Sequence, residues 1–347
     1  MRYIRQLFFA VFSLLLAFIE GSSVGAAQNV RITSEIIRID SPIPGLRLGL
    51  HHSFRKSARP HSRQIVLFAE GSAVPTAGNA GFKIDGVSWM DNLALSGFDV
   101  WSLDYLGYGE SSRYREADLQ SPPGRAGDCA SQLASAVKFI LAKRGVARLS
   151  IIGDSFGSLV AGIYASHSPQ SVDRLILFAP VTPVAEPKPN QPLSSVAHFD
   201  MVTPADLWQL YSTWLPNGEH AGVDRNFFLN TWGSKYLDTD PTSRQRRPPS
   251  VVVPAGPDLD TAEIQRGHFP YNPGLITKPT LIIFGEWDAV STEEGGKRLF
   301  DLLTGTRDKR RIVIGKGTHV LQLESTRNIL YQEVVNFLRL EEREKHN

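Results

Sequence analysis

Leu149-Ser150-Ile151-Ile152-Gly153-Asp154-Ser155-Phe156-Gly157-Ser158-Leu159-Val160-Ala161-Gly162 is the stretch that decides the fold. A short β-branched run ends at Gly153, the next five residues fit Gly-x-Ser-x-Gly, and a small, apolar helical pattern follows. This is the strand–turn–helix setting of a nucleophile elbow. A serine on so tight a turn is held in a strained backbone conformation with its hydroxyl projecting into open space. Glycine two before and two after is needed because a Cβ there would strike the neighbouring strand or helix. The helix that follows offers free N–H groups and a positive dipole end where negative charge would develop.

Working outward, short apolar segments alternate with amphipathic ones. Val30–Asp40 and Leu46–Phe54 read as strands separated by Ser41-Pro42-Ile43-Pro44-Gly45, a hairpin-like opening that makes the pair antiparallel. Strands are expected at Gln64–Ala69, Phe98–Leu103, Arg148–Ile152, Asp173–Pro180, Pro279–Gly285 and Arg311–Ile314. Helices are expected at Val87–Leu95, Ala126–Arg144, Ser155–Ser166, Ser291–Leu303 and Leu321–Leu340. The pattern predicts an α/β fold: a mostly parallel central sheet with helices on both faces and right-handed crossovers. One stretch breaks the alternation. About a hundred residues lie between Pro180 and Pro279, far more than a crossover needs. They are rich in proline and aromatics, among them Trp208, Tyr211, Trp214, Phe228, Trp232 and Tyr236. We read residues 183–274 as a helical cap inserted into a core of residues 28–182 and 275–347; its aromatics either line an apolar pocket or hold the cap together.

A serine hydroxyl is a poor nucleophile until a base takes its proton, and that base needs an acid to orient it. Leu281-Ile282-Ile283-Phe284-Gly285 is followed by Glu286-Trp287-Asp288, and the last strand by Gly315-Lys316-Gly317-Thr318-His319. Both sit at the strand edge where open α/β sheets build their sites. Among nine histidines, only His319 lies just beyond a late strand in a glycine-containing loop. His167 ends the helix after the elbow, where the helix dipole accounts for it. Asp288 is preferred to Glu286 as the acid, and the order Ser155, Asp288, His319 is the one this elbow requires. The oxyanion would be met by the backbone N–H of Phe156 and by one from the loop after Ala69, at Ser72 or its neighbour Ala73.

Ser155, Asp288 and His319, together with Asp104-Tyr105-Leu106-Gly107-Tyr108-Gly109-Glu110-Ser111, resemble the α/β-hydrolase superfamily, specifically its lipase/esterase branch with an inserted helical cap. The resemblance runs from about Arg31 to Arg343. The Asp104 segment is similar to the Asp-x-x-Gly-x-Gly-x-Ser turn that many members carry after their fourth strand. Many relatives have His-Gly where this chain has Glu70-Gly71, which brings a carboxylate to the second half of the oxyanion hole. The resemblance implies no metal and no organic cofactor.

Composition narrows the function classes. With 347 residues, 42% hydrophobic, 21% charged and a formal charge of +2, the chain has no electrostatic footprint for DNA or RNA. Arg55, Lys56, Arg59 and Arg63 form one basic cluster, and Arg244, Arg246 and Arg247 another; both read as solvated loops. Arg2 and Arg5 precede an apolar run from Leu7 to Ile19 and then Gly21-Ser22-Ser23-Val24-Gly25-Ala26-Ala27. That reads as a secretory signal over residues 1–27, its apolar run short of what a spanning helix needs, with cleavage after Ala26 or Ala27; an uncleaved membrane anchor is the alternative. The single cysteine, Cys129, reads as a buried helical residue and allows no intramolecular bridge, so a packed core must supply stability. No Asn-x-Ser/Thr sequon occurs, which favours a bacterial periplasmic or secreted setting. The expected activity is hydrolysis of small-molecule carboxylic esters with an apolar acyl or alcohol part through an acyl-enzyme. A serine peptidase or amidase, and a non-catalytic binding protein on the same scaffold, are the alternatives.

Overall fold

The inner strands are buried along their whole length, the mark of a sheet covered on both faces. In the computed structural model, which describes residues 31–56, 64–190 and 197–340, Ile65–Ala69 (β3) shows why. Ile65, Leu67 and Ala69 face one apolar cluster; Val66 and Phe68 face the other. Residues 1–27, expected to be a signal, and Arg59 and Arg63 lie outside the described residues.

Eight strands form the central sheet: Ile32–Asp40 (β1), Arg47–Arg55 (β2), β3, Asp99–Asp104 (β4), Leu149–Asp154 (β5), Val172–Phe178 (β6), Thr280–Gly285 (β9) and Lys309–Ile314 (β10). Their order is β1-β2-β4-β3-β5-β6-β9-β10. As expected, β1 and β2 are antiparallel; β2 also runs antiparallel to β4, and every later pairing is parallel. Helices Ala126–Arg144 (α2) and Phe156–His167 (α3) pack on one face, while Trp89–Leu95 (α1) and Arg327–Arg339 (α8) pack on the other. Cys129 is buried within α2, and burial raises its thiol well above the ordinary range, so it packs as an apolar residue.

The Asp104 turn shows how one carboxylate organises this edge of the sheet. Asp104 is buried and accepts from His51 Nε2 at 2.9 Å, Glu110 N at 2.9 Å and Thr76 N at 2.9 Å. Burial opposes its ionisation, but the His51 charge and these donors outweigh that and hold its pKa down to about 2. Through Thr76 it fixes the segment that follows β3. Gly109, at φ +43, is required because a Cβ there would strike the Asp104 carboxylate.

Between β6 and β9 the chain is less purely helical than its sequence suggests. Pro204–Ser212 (α4), Gly233–Leu237 (α5) and Gly256–Gln265 (α6) are accompanied by a two-stranded antiparallel sheet, Phe199–Val202 (β7) with Val251–Pro254 (β8). β7 and β8 are four residues each, too short for alternation to register. Two further differences have local causes. The last helix begins at Arg327 rather than Leu321, after a 3₁₀ turn at Leu321–Leu323. Glu324 is spent on Thr318, and Ser325 N donates to Gly222 O at 2.9 Å, so this segment is held outside the helix. Arg246 is not simply solvated either: it donates to buried Asp240 at 2.7 Å and to Ser250 O at 2.6 Å. Glu293–Leu302 (α7) completes the helices of the parallel half. Among the described residues, no helix is long and apolar enough to cross a membrane.

Candidate active site

Ser155 sits between β5 and α3 at φ 49 and ψ −118, a conformation unfavourable for any residue with a Cβ. The turn is closed by Ser155 N donating to Phe178 O at 2.9 Å. Its flanking glycines have steric causes. A Cβ on Gly153 would lie 2.6 Å from Gly157 O, and one on Gly157 would collide with the Ala69 carbonyl of β3. Gly157→Ala therefore forces helix and strand apart and is expected to cost about 3 kcal/mol or more, measurable as a lowered urea midpoint at unchanged m-value.

His319 follows β10, and Asp288 follows β9, in loops on the same edge as Ser155. His319 Nδ1 lies 3.0 Å from both carboxylate oxygens of Asp288, so this nitrogen carries the hydrogen. Nε2 is then left to accept from Ser155 Oγ at 2.9 Å. Asp288 Oδ1 accepts further from Val290 N at 2.8 Å and Ser291 N at 2.9 Å, which fixes the carboxylate. Burial disfavours the charge on Asp288, yet the imidazole and these donors bring its pKa below the ordinary value. For His319, burial pushes the imidazole down, and the Asp288 carboxylate more than reverses it, so its pKa is raised. Glu286, the other acid considered, accepts from Lys316 N at 2.9 Å and serves the loop instead.

Ser72 and Phe156 line the same cavity as Ser155 and His319. Phe156 is the first residue of α3, where the N–H has no intrahelical acceptor. Ala73, the neighbouring option, is in the left-handed region at φ 67. The cavity measures about 710 Å³ and is walled by Leu159, Val184, Leu207, Leu210 and Ile264, so α4 and α6 of the inserted segment cover it. Tyr211 stands over the site with its ring centroid 5.9 Å from that of His319. Of the other aromatics, Phe228, Trp232 and Tyr236 stack in series, Trp232 also lining the space beside Ser155 and His319, whereas Trp214 is exposed.

Three supporting groups went unread in the sequence. Buried Glu324 accepts from Thr318 Oγ1 at 2.6 Å and so anchors the residue before His319. Buried Asn79 and Gln322 bond to each other at 2.7 Å behind the site. A polar residue inside an otherwise apolar turn is the faint sequence signal each leaves. Among the described residues, no cluster of His, Cys, Asp and Glu is arranged to hold a metal ion.

Residues 77–326, well over half of the chain, match the family model described as the alpha/beta hydrolase fold. The chain belongs to that family. No curated protein gives a significant match to this α/β hydrolase. Solved structures give the same architecture at low identity. A serine hydrolase involved in carbazole degradation matches at 17% identity and TM-score 0.59, over 88% of this chain and 100% of its own. A 2-hydroxy-6-oxo-6-phenylhexa-2,4-dienoate hydrolase from Rhodococcus sp. strain RHA1 matches at 16% and 0.59, over 89% and 100%. A membrane phospholipase A described as a bacterial virulence factor matches at 16% and 0.56, over 95% and 96%. These likenesses show the fold.

Proposed function

We propose that this α/β hydrolase is an exported serine hydrolase that cleaves carboxylic esters with an apolar acyl or alcohol part. The observation that carries the reading is the unbroken run Ser155 Oγ, His319 Nε2, His319 Nδ1, Asp288, at 2.9 and 3.0 Å, opening into a cavity of about 710 Å³ with apolar walls at Leu159, Val184, Leu207 and Ile264 and charged groups at Asp258, Glu294 and Arg298. Ser155 attacks the ester carbonyl while His319 takes its proton, and Asp288 stabilises the imidazolium. The N–H groups of Phe156 and Ser72 receive the oxyanion, each donor contributing about 2.7–4 kcal/mol to the transition state. His319 then protonates the leaving alcohol, and water attacks the acyl-enzyme by the same steps in reverse. The chemistry asks for no metal or organic cofactor. Fold neighbours that are named as a serine hydrolase and a phospholipase A are consistent with this class.

A fluorophosphonate probe is expected to label the wild type and not Ser155→Ala; absence of labelling in folded wild-type protein ends the proposal. Substrate class is read from p-nitrophenyl acyl esters of increasing chain length beside aminoacyl anilides. We expect kcat/KM to rise about 10-fold or more from the acetyl to a medium-chain ester, since each buried CH₂ contributes about 0.8 kcal/mol. Turnover of anilides alone would replace the esterase reading with a peptidase. For export, the mature protein recovered outside the cytoplasm is expected to begin at Ala27 or Gln28 by intact mass; retention of Met1–Ala26 in that fraction would refute it.

A further inference from the structure

Behind the elbow lie two buried carboxyls that the proton relay does not use. Glu70, 1% exposed, ends the turn out of β3 and precedes Gly71 and Ser72; Asp154, 5% exposed, precedes Ser155. One amide joins them. Asn79 Nδ2 donates to Glu70 Oε2 at 2.6 Å and, with its other hydrogen, to Asp154 Oδ2. Asn79 Oδ1 accepts from Gln322 Nε2 at 2.7 Å, three residues beyond His319. Glu70 Oε1 meets Ser102 Oγ at 2.6 Å, and that hydroxyl meets Thr76 Oγ1 at 2.8 Å. A single side chain, Asn79, thus ties together the loop of the second oxyanion donor, the nucleophile turn and the histidine loop. A Cβ on Gly71 would lie 3.4 Å from Ser155 Cβ, so the two turns pass close to each other here.

We propose that Glu70 is a positioning residue that works un-ionised, the Glu70–Asn79–Asp154 bridge carrying one proton and locking the Gly71–Ser72 turn against the turn of Ser155. Among the described residues, neither carboxyl has an ion-pair partner, and one NH₂ group cannot neutralise two charges out of water. The charged and titratable groups facing Glu70 are Asp154 at the end of β5, Asp104 at the end of β4, His51 on β2 and Tyr105. Those facing Asp154 are His319, Asp288 and Tyr211, besides Glu70 and Tyr105. His51 is already paired with Asp104. His319 lies on the Asp154 side and favours ionisation there, which leaves the proton with Glu70. The pKa values follow this division: burial first, then Asp154 and Asp104, push Glu70 up to about 8, while Asp154, also raised by burial, reaches about 6. With the proton on Oε1, Glu70 donates to Ser102, which passes its own hydrogen to Thr76.

The kinetic arm rests on the hydrolase reading above; the spectroscopic arm does not. In the wild type, kcat is expected to fall several-fold as pH rises through about 8, with KM little changed. In Glu70→Gln, whose amide can donate to Ser102 and accept from Asn79, that fall should vanish. Glu70→Ala should lower kcat 10-fold or more at neutral pH, and Glu70→Gln should restore it. An infrared pH titration of the wild type should show an un-ionised carboxyl C=O stretch at neutral pH that disappears with a midpoint near 8. It needs no substrate and no variant. A wild-type spectrum without that band at neutral pH, or a Glu70→Gln profile that keeps the alkaline fall, overturns the proposal. If no ester is turned over yet the band titrates as described, the substrate reading fails and the carboxyl bridge stands.

Discussion

Ser155→Ala is expected to lower kcat for an activated ester by about 10⁴–10⁶-fold while leaving the fold intact. The hydroxyl is the atom that bonds to carbon, so nothing else at the site substitutes for it. The remaining activity, about 10³-fold or more above the uncatalysed rate, would come from the N–H pair at Ser72 and Phe156 acting on a bound ester. Alanine keeps the Cβ, so the strained φ of 49 is unrelieved and the turn stays closed by the Phe178 carbonyl. The thermal midpoint should therefore hold or rise slightly, because a polar group shaped for chemistry rather than packing has been removed. Steady-state turnover of a p-nitrophenyl ester and a melting curve on the same preparation check both halves. A variant that keeps more than about a tenth of the activity would mean the nucleophile lies elsewhere.

Much of this architecture is legible because it is written in local sterics. Gly153 and Gly157 are forced by atoms on β3 and α3, and such close approaches leave the same residue wherever they occur. The order Ser155, Asp288, His319 was readable because each follows a strand with a short apolar run, Ile151-Ile152, Leu281–Phe284 and Ile312–Ile314, and parallel strands deliver their ends to one edge. The structure brings those three side chains to hydrogen-bonding distance. What escaped was decided by pairings distant in sequence. Asn79 meets Gln322 across 243 positions, and Glu70 meets Ser102 across 32. A buried polar residue shows its need for a partner in sequence, not which partner it takes. The pairing of β7 with β8 escaped for the same reason, since four-residue strands carry too few side chains to reveal a period. The start of α8 was misplaced because Leu321 and Leu323 continue the apolar spacing, while the side chain that stops the helix, Glu324, does so through a bond to Thr318.

Asp288→Asn should lower kcat/KM by about 10³–10⁴-fold, as loss of the orienting acid does in serine proteases. The size of the effect follows from geometry more than from charge. Asp288 is 4% exposed and receives N–H donors from Val290 and Ser291 on one oxygen. An asparagine must present its carbonyl oxygen to those two donors, which turns its NH₂ toward His319 Nδ1. The imidazole then places its hydrogen on Nε2, facing Ser155, and can no longer accept the hydroxyl proton. The pH profile separates this from a packing defect. The base acts when neutral, so activity rises as pH passes upward through the His319 pKa, which the Asp288 carboxylate raises. Removing that charge lowers the pKa, and the acid limb should move to lower pH in the variant. It should not fall the whole way, because the Asp154 carboxylate also favours the imidazolium. An acid limb that stays in place, with less than about a 10-fold loss in kcat/KM, would remove Asp288 from the relay and return the choice of acid to Glu286.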